Sequence, residues 1–374
     1  MDVVGLTRRL ADLPSYVDKR TDERACADLC IRWIKENLRT YRVRKMPVAD
    51  GRYNILITPK RGIRTLFTAH LDTVPPSGTW NRAKVSNGKV FGLGAVDMKG
   101  ALAAMLCALR NAGAEGTAGL LLYVDEEYGF KGMETALRKI RQLPKPKIII
   151  TGEPTDLQLS QGCRGFADLR LTVRGTTAHS ARPMNGISVV KAFSIVEATC
   201  ERLAKSARHP QLGKTLVNVY YAEMGNRIRD EGSETVTASD NRLPDILKMR
   251  ISLRIASRAF DPREWKRKIS ANLRSRGLKL ETFEVAELRK PMFTSGKALQ
   301  RIRRRMQDSV GSSSAMPLAE VGYYDVQMLA ERWNIPAISI GAGPRSSAHT
   351  SVEHVSCSDL KKLEHLYTSI ALTC

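Results

Sequence analysis

Apolar positions recur at helical spacing over residues 22–37, where Ala25, Leu29, Trp33 and Ile34 gather near one face, so the stretch predicts an amphipathic helix. Beyond it the runs shorten. Tyr41–Arg44, Asn54–Ile57 and Thr65–Ala69 are β-rich and separated by charged or Gly/Pro punctuation, as strands joined by turns are. Met98–Asn111 reads as a helix of small apolar residues, Leu120–Val124 as a buried strand, Gly132–Gln142 as a helix and Lys147–Thr151 as another strand. Strands alternating with helices predict an α/β layer architecture around a mainly parallel sheet.

The pattern changes near residue 165. Ala167–Val173 and Lys248–Ile255 alternate apolar and polar positions, as strands with one wet face do. Ser188–Ala207 reads as a long amphipathic helix, and Asp261–Ser275 as a charged helix opened by Asp-Pro. Fully apolar segments return after residue 288, notably Ala337–Ile340 before a Gly-Ala-Gly-Pro turn. The expected organisation is an α/β domain of residues 1–165 and 288–374, interrupted by an inserted α+β domain at 166–287.

Composition adds limits. A length of 374 residues suits two domains better than one core. No run approaches the roughly 18 apolar residues of a membrane span. Asp2, Arg8, Arg9 and Asp12 break up the apolar N-terminal residues, so no signal peptide is expected. Seven cysteines without a Cys-x-x-Cys pair fit a reduced, cytoplasmic chain. The net charge of +22 is dispersed, with 27 basic against 17 acidic residues in 1–165, 22 against 14 in 166–287 and 11 against 7 in 288–374. The run Arg301, Arg303, Arg304, Arg305 reads as a solvated helix face. General basicity favours acidic substrates or an acidic protein partner such as a carrier protein. Nucleic acid is disfavoured, because aromatics are only 6% and do not interleave with the basic residues.

Five segments place polar side chains at or near the ends of expected buried strands. In Thr68–Pro75, His70 and Asp72 point the same way along an extended chain, the pairing of a metal ligand with its orienting carboxylate or of a structural hydrogen bond. Asp97 stands among Gly92, Gly94 and Gly100, aimed into a tight space or capping the next helix. Asp125, Glu126 and Glu127 follow an apolar strand directly, which suits a solvated loop tip or a cation. Glu153 in Gly-Glu-Pro-Thr and His349 in Ala-His-Thr complete the set. Two histidines with several carboxylates and no thiolate suit zinc, manganese or cobalt in a hydrolytic site. Asp97 replaces the third glycine of a dinucleotide fingerprint, and there is no phosphate-binding P-loop, no His-Glu-x-x-His and no Gly-x-Ser-x-Gly.

The ordered set His70-x-Asp72, Gly-x-Gly-Ala-x-Asp97-Met-Lys-Gly, Asp125-Glu126-Glu127, Gly-Glu153-Pro-Thr and His349 resembles the M20 metallopeptidase family of deacylases and carboxypeptidases. The resemblance implies two metal ions, one held by His70, Asp97 and Glu153 and one by Asp97, Glu127 and His349. It further implies that Asp72 holds the other nitrogen of His70, that Glu126 is the general base, and that the peptide bond after Asp97 is cis. His179 in Arg-Gly-Thr-Thr-Ala-His-Ser resembles the family's histidine that reaches a partner subunit's site, implying a homodimer. Asn241 and Arg254 resemble the segment that grips a substrate carboxylate, and Arg345, in the loop before His349, is a further candidate to meet an anionic substrate. Val321-Gly322-Tyr323-Tyr324-Asp325 departs from the family's Gly-Thr-Ser-Asp pattern. The implied reaction is hydrolysis of an amide, deacylation of an N-acyl amino acid ahead of peptide trimming.

Overall fold

A computed structural model describes residues 1–78, 82–230, 233–318, 321 and 323–373, so Gly322 lies outside the described residues. The chain divides into two compact units. The first comprises Met1–Gly162, Phe293–Pro317 and Tyr324–Cys374; the second comprises Cys163–Met292 and Leu318–Tyr323.

The first unit is built on a six-stranded sheet. Its strands are β1 (Tyr41–Pro47), β2 (Tyr53–Pro59), β3 (Thr65–His70), β6 (Ala118–Tyr123), β7 (Ile148–Thr151) and β13 (Ala337–Ser339), and a small three-stranded sheet holds β4 (Lys84–Ser86), β5 (Lys89–Phe91) and β14 (His354–Ser356). The six lie in the order β1-β2-β6-β3-β7-β13. β6, β3, β7 and β13 run parallel, while β2 is antiparallel to both of its neighbours. β3, β6 and β7 are buried throughout, which is why they read as unbroken apolar runs instead of alternating ones.

Helices α1 (Val3–Ala11), α2 (Arg24–Asn37), α3 (Gly100–Ala112), α4 (Lys131–Arg138), α7 (Lys297–Val310), α8 (Val326–Trp333) and α9 (Cys357–Thr373) complete this unit. α3 packs against α9 and is buried on all sides except near its end; Ala101, Ala103, Ala104 and Ala108 keep it narrow. Its start falls at Gly100, two residues later than the apolar pattern predicts, because Asp97 and Met98 have non-helical dihedral angles. The helix expected over Gly132–Gln142 ends at Arg138 and continues as a single 3₁₀ turn, Ile140–Gln142. α7 buries Leu299, Ile302 and Met306 and turns Arg301 and Arg304 to solvent.

Because four strands are parallel, their C-terminal ends share one edge of the sheet, where ligands collect in α/β folds. His70 ends β3, Asp125–Glu127 follow β6, Glu153 follows β7, and the loop after β13 carries His349. The chain leaves this unit after β7 and returns before α7, and the two crossing points are tied together. The Thr294 amide donates to the Gln161 carbonyl at 2.7 Å, and its hydroxyl donates to the Ala337 carbonyl of β13 at 2.6 Å.

The second unit is a five-stranded antiparallel sheet of β8 (Gly165–Arg174), β9 (Leu216–Asp230), β10 (Ser233–Thr237), β11 (Ile246–Ile255) and β12 (Lys279–Arg289), in the order β10-β9-β11-β8-β12. The inner residues of β8 and β11 form a core with α5 (Val190–Ser206) and α6 (Pro262–Arg274). Asp261 caps α6 by accepting from the Arg263 amide at 2.9 Å, with Pro262 at the first helical position where its missing N–H costs nothing. Among the described residues no helix is long and apolar enough to cross a membrane.

Candidate metal centre

Asp97 lies between two imidazoles. His70 Nε2 is 3.2 Å from Asp97 Oδ1 and 3.9 Å from Glu153 Oε1, while His349 Nε2 is 3.3 Å from Asp97 Oδ2 and 2.9 Å from Glu127 Oε1. Ligand atoms of His70, Asp97 and Glu127 all fall within 4.8 Å of one another. His70 is buried at the end of β3, whereas the His349 side chain is 46% exposed on its loop. The Asp97–Met98 peptide bond is cis.

The electrostatics call for a cation. Burial raises the carboxyls of Glu126 and Glu153 well above the usual range, and neighbouring acids add to it, Asp325 for Glu126 and Asp97 for Glu153. Burial opposes a charged His70, yet its bond to Asp97 and the nearby Asp72 and Glu153 push it well above the ordinary imidazole value. His349 is pushed up to about 10 by its bonds to Asp97 and Glu127. Asp97 is held well below the carboxylate range by both imidazoles in spite of burial. Acids outnumber imidazoles at this largely buried site, and the imidazole and carboxylate donors that converge there are those that bind zinc and similar divalent ions. The residues present fit such ions.

Asp72 lies against the other nitrogen of His70 through two groups. His70 Nδ1 donates to the Asp72 main-chain carbonyl at 3.0 Å, while the nearer carboxylate oxygen is 3.7 Å away. The carboxylate accepts from the Glu127 amide at 2.8 Å, so Asp72 orients two candidate ligands by different groups.

Other residues brace this centre without a clear signal in the sequence. Glu353 Oε1 accepts from the amides of Val96 and Asp97 at 2.8 and 3.1 Å, fixing the Asp97 backbone. Arg52, buried, bonds Glu23 at 3.2 Å and Asp125 at 2.9 Å. Glu23 also accepts from the Asp125 amide at 3.0 Å, which locks the left-handed turn (φ 70°) leading into Glu126. The Asp325 carboxylate accepts from the Tyr123 hydroxyl at 2.8 Å and is pushed up to about 7, chiefly by burial. Arg345 sits exposed on the 3₁₀ turn before His349.

The remaining candidates lie in the second unit. His179 is exposed on a loop that pairs with residues 241–243: Ser180 donates to the Asn241 carbonyl at 2.9 Å, and His179 bridges Arg242. Asn241 is exposed and its side chain accepts from Ser239 at 2.7 Å. Arg254 is exposed near the far end of β11, its guanidinium 5.0 Å from the centre of the Phe166 ring. Eight residues of strand separate it from Ile246, near the Asn241 end, about 27 Å at a strand's rise. Asn241 and Arg254 thus lie toward opposite ends of β11 within a single chain.

Residues 66–373 match the model of peptidase family M20/M25/M40. The chain belongs to that family. A probable carboxypeptidase of Aspergillus terreus is 32% identical over 54% of this chain and 52% of its own length, and the chain spans 60% of another from Paracoccidioides lutzii. Succinyl-diaminopimelate desuccinylase of Corynebacterium glutamicum is 26% identical over 93% of this chain and 90% of its own. A dinuclear metal binding peptidase of the M20 family from Bacillus subtilis shares the fold at a TM-score of 0.72 and 13% identity, covering 100% of this chain and 98% of that one.

Proposed function

We propose that this protein is a two-metal amide hydrolase that releases an amino acid from an N-acyl linkage. The observation that carries the reading is Glu126, a carboxyl adjacent in sequence to Glu127 but outside the convergent cluster of His70, Asp97 and Glu127. Burial, with Asp325 and Glu153 nearby, raises its carboxyl well above the usual range. His70, Asp97 and Glu153 would hold one ion and Asp97, Glu127 and His349 the other, zinc ahead of cobalt or manganese. Such ions, when bound, polarise the scissile carbonyl and acidify water. Glu126 takes the proton of the attacking water and delivers it to the leaving amine.

His179 supplies a hydrogen bond to the developing oxyanion, from the partner subunit of a homodimer. Its Nδ1 accepts from the Ala181 amide at 3.1 Å, so a neutral ring carries its hydrogen on the exposed Nε2, ready to donate. Arg254, with Asn241 of the other chain or Arg345, receives the substrate carboxylate. The matched desuccinylase supports deacylation. The matched carboxypeptidases favour a second reading, removal of a C-terminal residue, which uses the same machinery. Six described cysteines are free thiols, consistent with a cytoplasmic chain.

The test is Glu126→Gln, assayed on N-acetyl and N-succinyl amino acids and on dipeptides with zinc, cobalt or manganese. Turnover should fall at least ~10²-fold while two ions per chain remain bound. Near-normal turnover would remove Glu126 from the mechanism, and the preferred substrate decides between the two readings.

A further inference from the structure

Across the sheet from the centre, at the outer edge of the first unit, lies a groove of about 610 Å³ rimmed by Arg42, Arg44, Lys60, Arg61 and Arg141. Among the described residues, no acidic and no aromatic side chain lines it. Among the described residues only Arg61 meets an acid, Glu115 at 3.4 Å, and both side chains are solvent-exposed. Arg44 donates to the Gln142 carbonyl at 2.8 Å, which holds one wall to the other. Arg42 and Arg44 stand opposite Thr58 and Leu56 in the β1–β2 register, so the cations rise from a floor that includes Leu56 and Leu143. β1 is the terminal strand of the sheet, and its outer row of main-chain N–H and C=O groups has no strand partner among the described residues.

We propose that this groove binds an extended acidic segment of a partner protein, independently of the hydrolytic reading above. Each element of the groove has a counterpart in such a segment. The cations pair with carboxylates, and the apolar floor with an occasional aliphatic side chain. A single-stranded nucleic acid fits less well, because no ring is available for a base to stack on.

Anisotropy of a fluorescein-labelled decapeptide of eight glutamates and two leucines tests this, with a labelled dT10 oligonucleotide as comparison. The variant Arg42→Glu/Arg44→Glu/Arg141→Glu should weaken peptide binding at least ~10-fold. A control with the same change in net charge, Lys297→Glu/Arg301→Glu/Arg304→Glu on α7, should weaken it less than ~3-fold, and both should keep wild-type turnover. If the first variant fails to fold, the same three positions as Gln serve. Equal losses in both variants would reduce the groove to general basicity and overturn the proposal. Tighter, groove-dependent binding of dT10 would overturn it in favour of nucleic acid. No peptide binding by the wild type at 25 mM salt would overturn it too, leaving the cations as guards of an open sheet edge.

Discussion

Arg52 is a cation enclosed with two acids, and removing it leaves Glu23 and Asp125 buried without a counter-charge. Arg52→Met should cost roughly 3–5 kcal/mol in unfolding free energy, and Arg52→Met/Glu23→Gln should recover part of it. Equal stability of the single and double variants would show that the acids do not depend on Arg52. Asp325 makes a prediction in pH. Its carboxyl rises from 3.8 to about 7 on folding, so the folded state holds the proton more tightly than the unfolded one. Stability from this group is complete below pH 4 and lost as pH rises toward 7, the reverse of an ion-paired carboxylate. Glu23, also pushed up to about 7 by burial and by Asp72, acts in the same window. Metal-stripped protein should therefore melt lower at pH 8 than at pH 5, and Asp325→Asn should recover on the order of 2–4 kcal/mol at pH 8. An unchanged pH profile in that variant would sink the assignment. His70, Asp97, Glu127, Glu153 and His349 were legible as candidates, because His70 and Glu153 stand at strand ends, Asp97 among glycines, Glu127 in an acidic triplet after a strand and His349 after a Gly/Pro-rich loop. Arg52 and Glu353 were not, since a basic or acidic residue in a loop reads as solvated until the fold buries it.

At the scale of elements, β7 and the segment after β13 approach so closely that side chains do not fit between them. A Cβ on Gly341 would lie 2.3 Å from the Gly152 carbonyl oxygen and 2.4 Å from that of Glu153. A Cβ on Gly152 would meet Ala101 of α3 at 2.5 Å. Glu153 is thus held at its height by three elements packed through two glycines. Gly341→Ala should lower the melting temperature and weaken metal binding more than ~10-fold, measured by competition with a chelating dye. Unchanged affinity would show that Glu153 is positioned by something else. The parallel strands were readable as apolar runs and α6 by its Asp-Pro cap. The start of α3 was not, because the deviation at Asp97 and Met98 follows from contacts far away in sequence. β9 escaped too, since Leu216, Tyr220, Tyr221 and Met224 are apolar residues that the fold leaves exposed.

For the whole molecule, the trans role proposed for His179 has a direct check. Inactive His179→Ala and inactive Glu126→Gln proteins, mixed and allowed to exchange subunits, should regain a fraction of wild-type turnover, because each heterodimer has one intact site. Complete exchange by native mass spectrometry without recovered turnover would rule out the arrangement. The switch from continuous to alternating apolar patterns near residue 165 falls close to Cys163, where the second unit starts, whereas no such switch marks Leu318–Tyr323.

The hydrogen bond from Thr294 to Gln161 bears on how such a chain can be rebuilt. Residues 163–292 depart and return through neighbouring points on the first unit, so the second unit, apart from Leu318–Tyr323, is inserted into one loop. Closing that loop with two or three glycines demands little loop entropy and leaves β7 and β13 where they are. Such a shortened chain would present the candidate metal residues of the first unit on a bare scaffold into which other modules, bringing their own recognition surfaces, can be grafted.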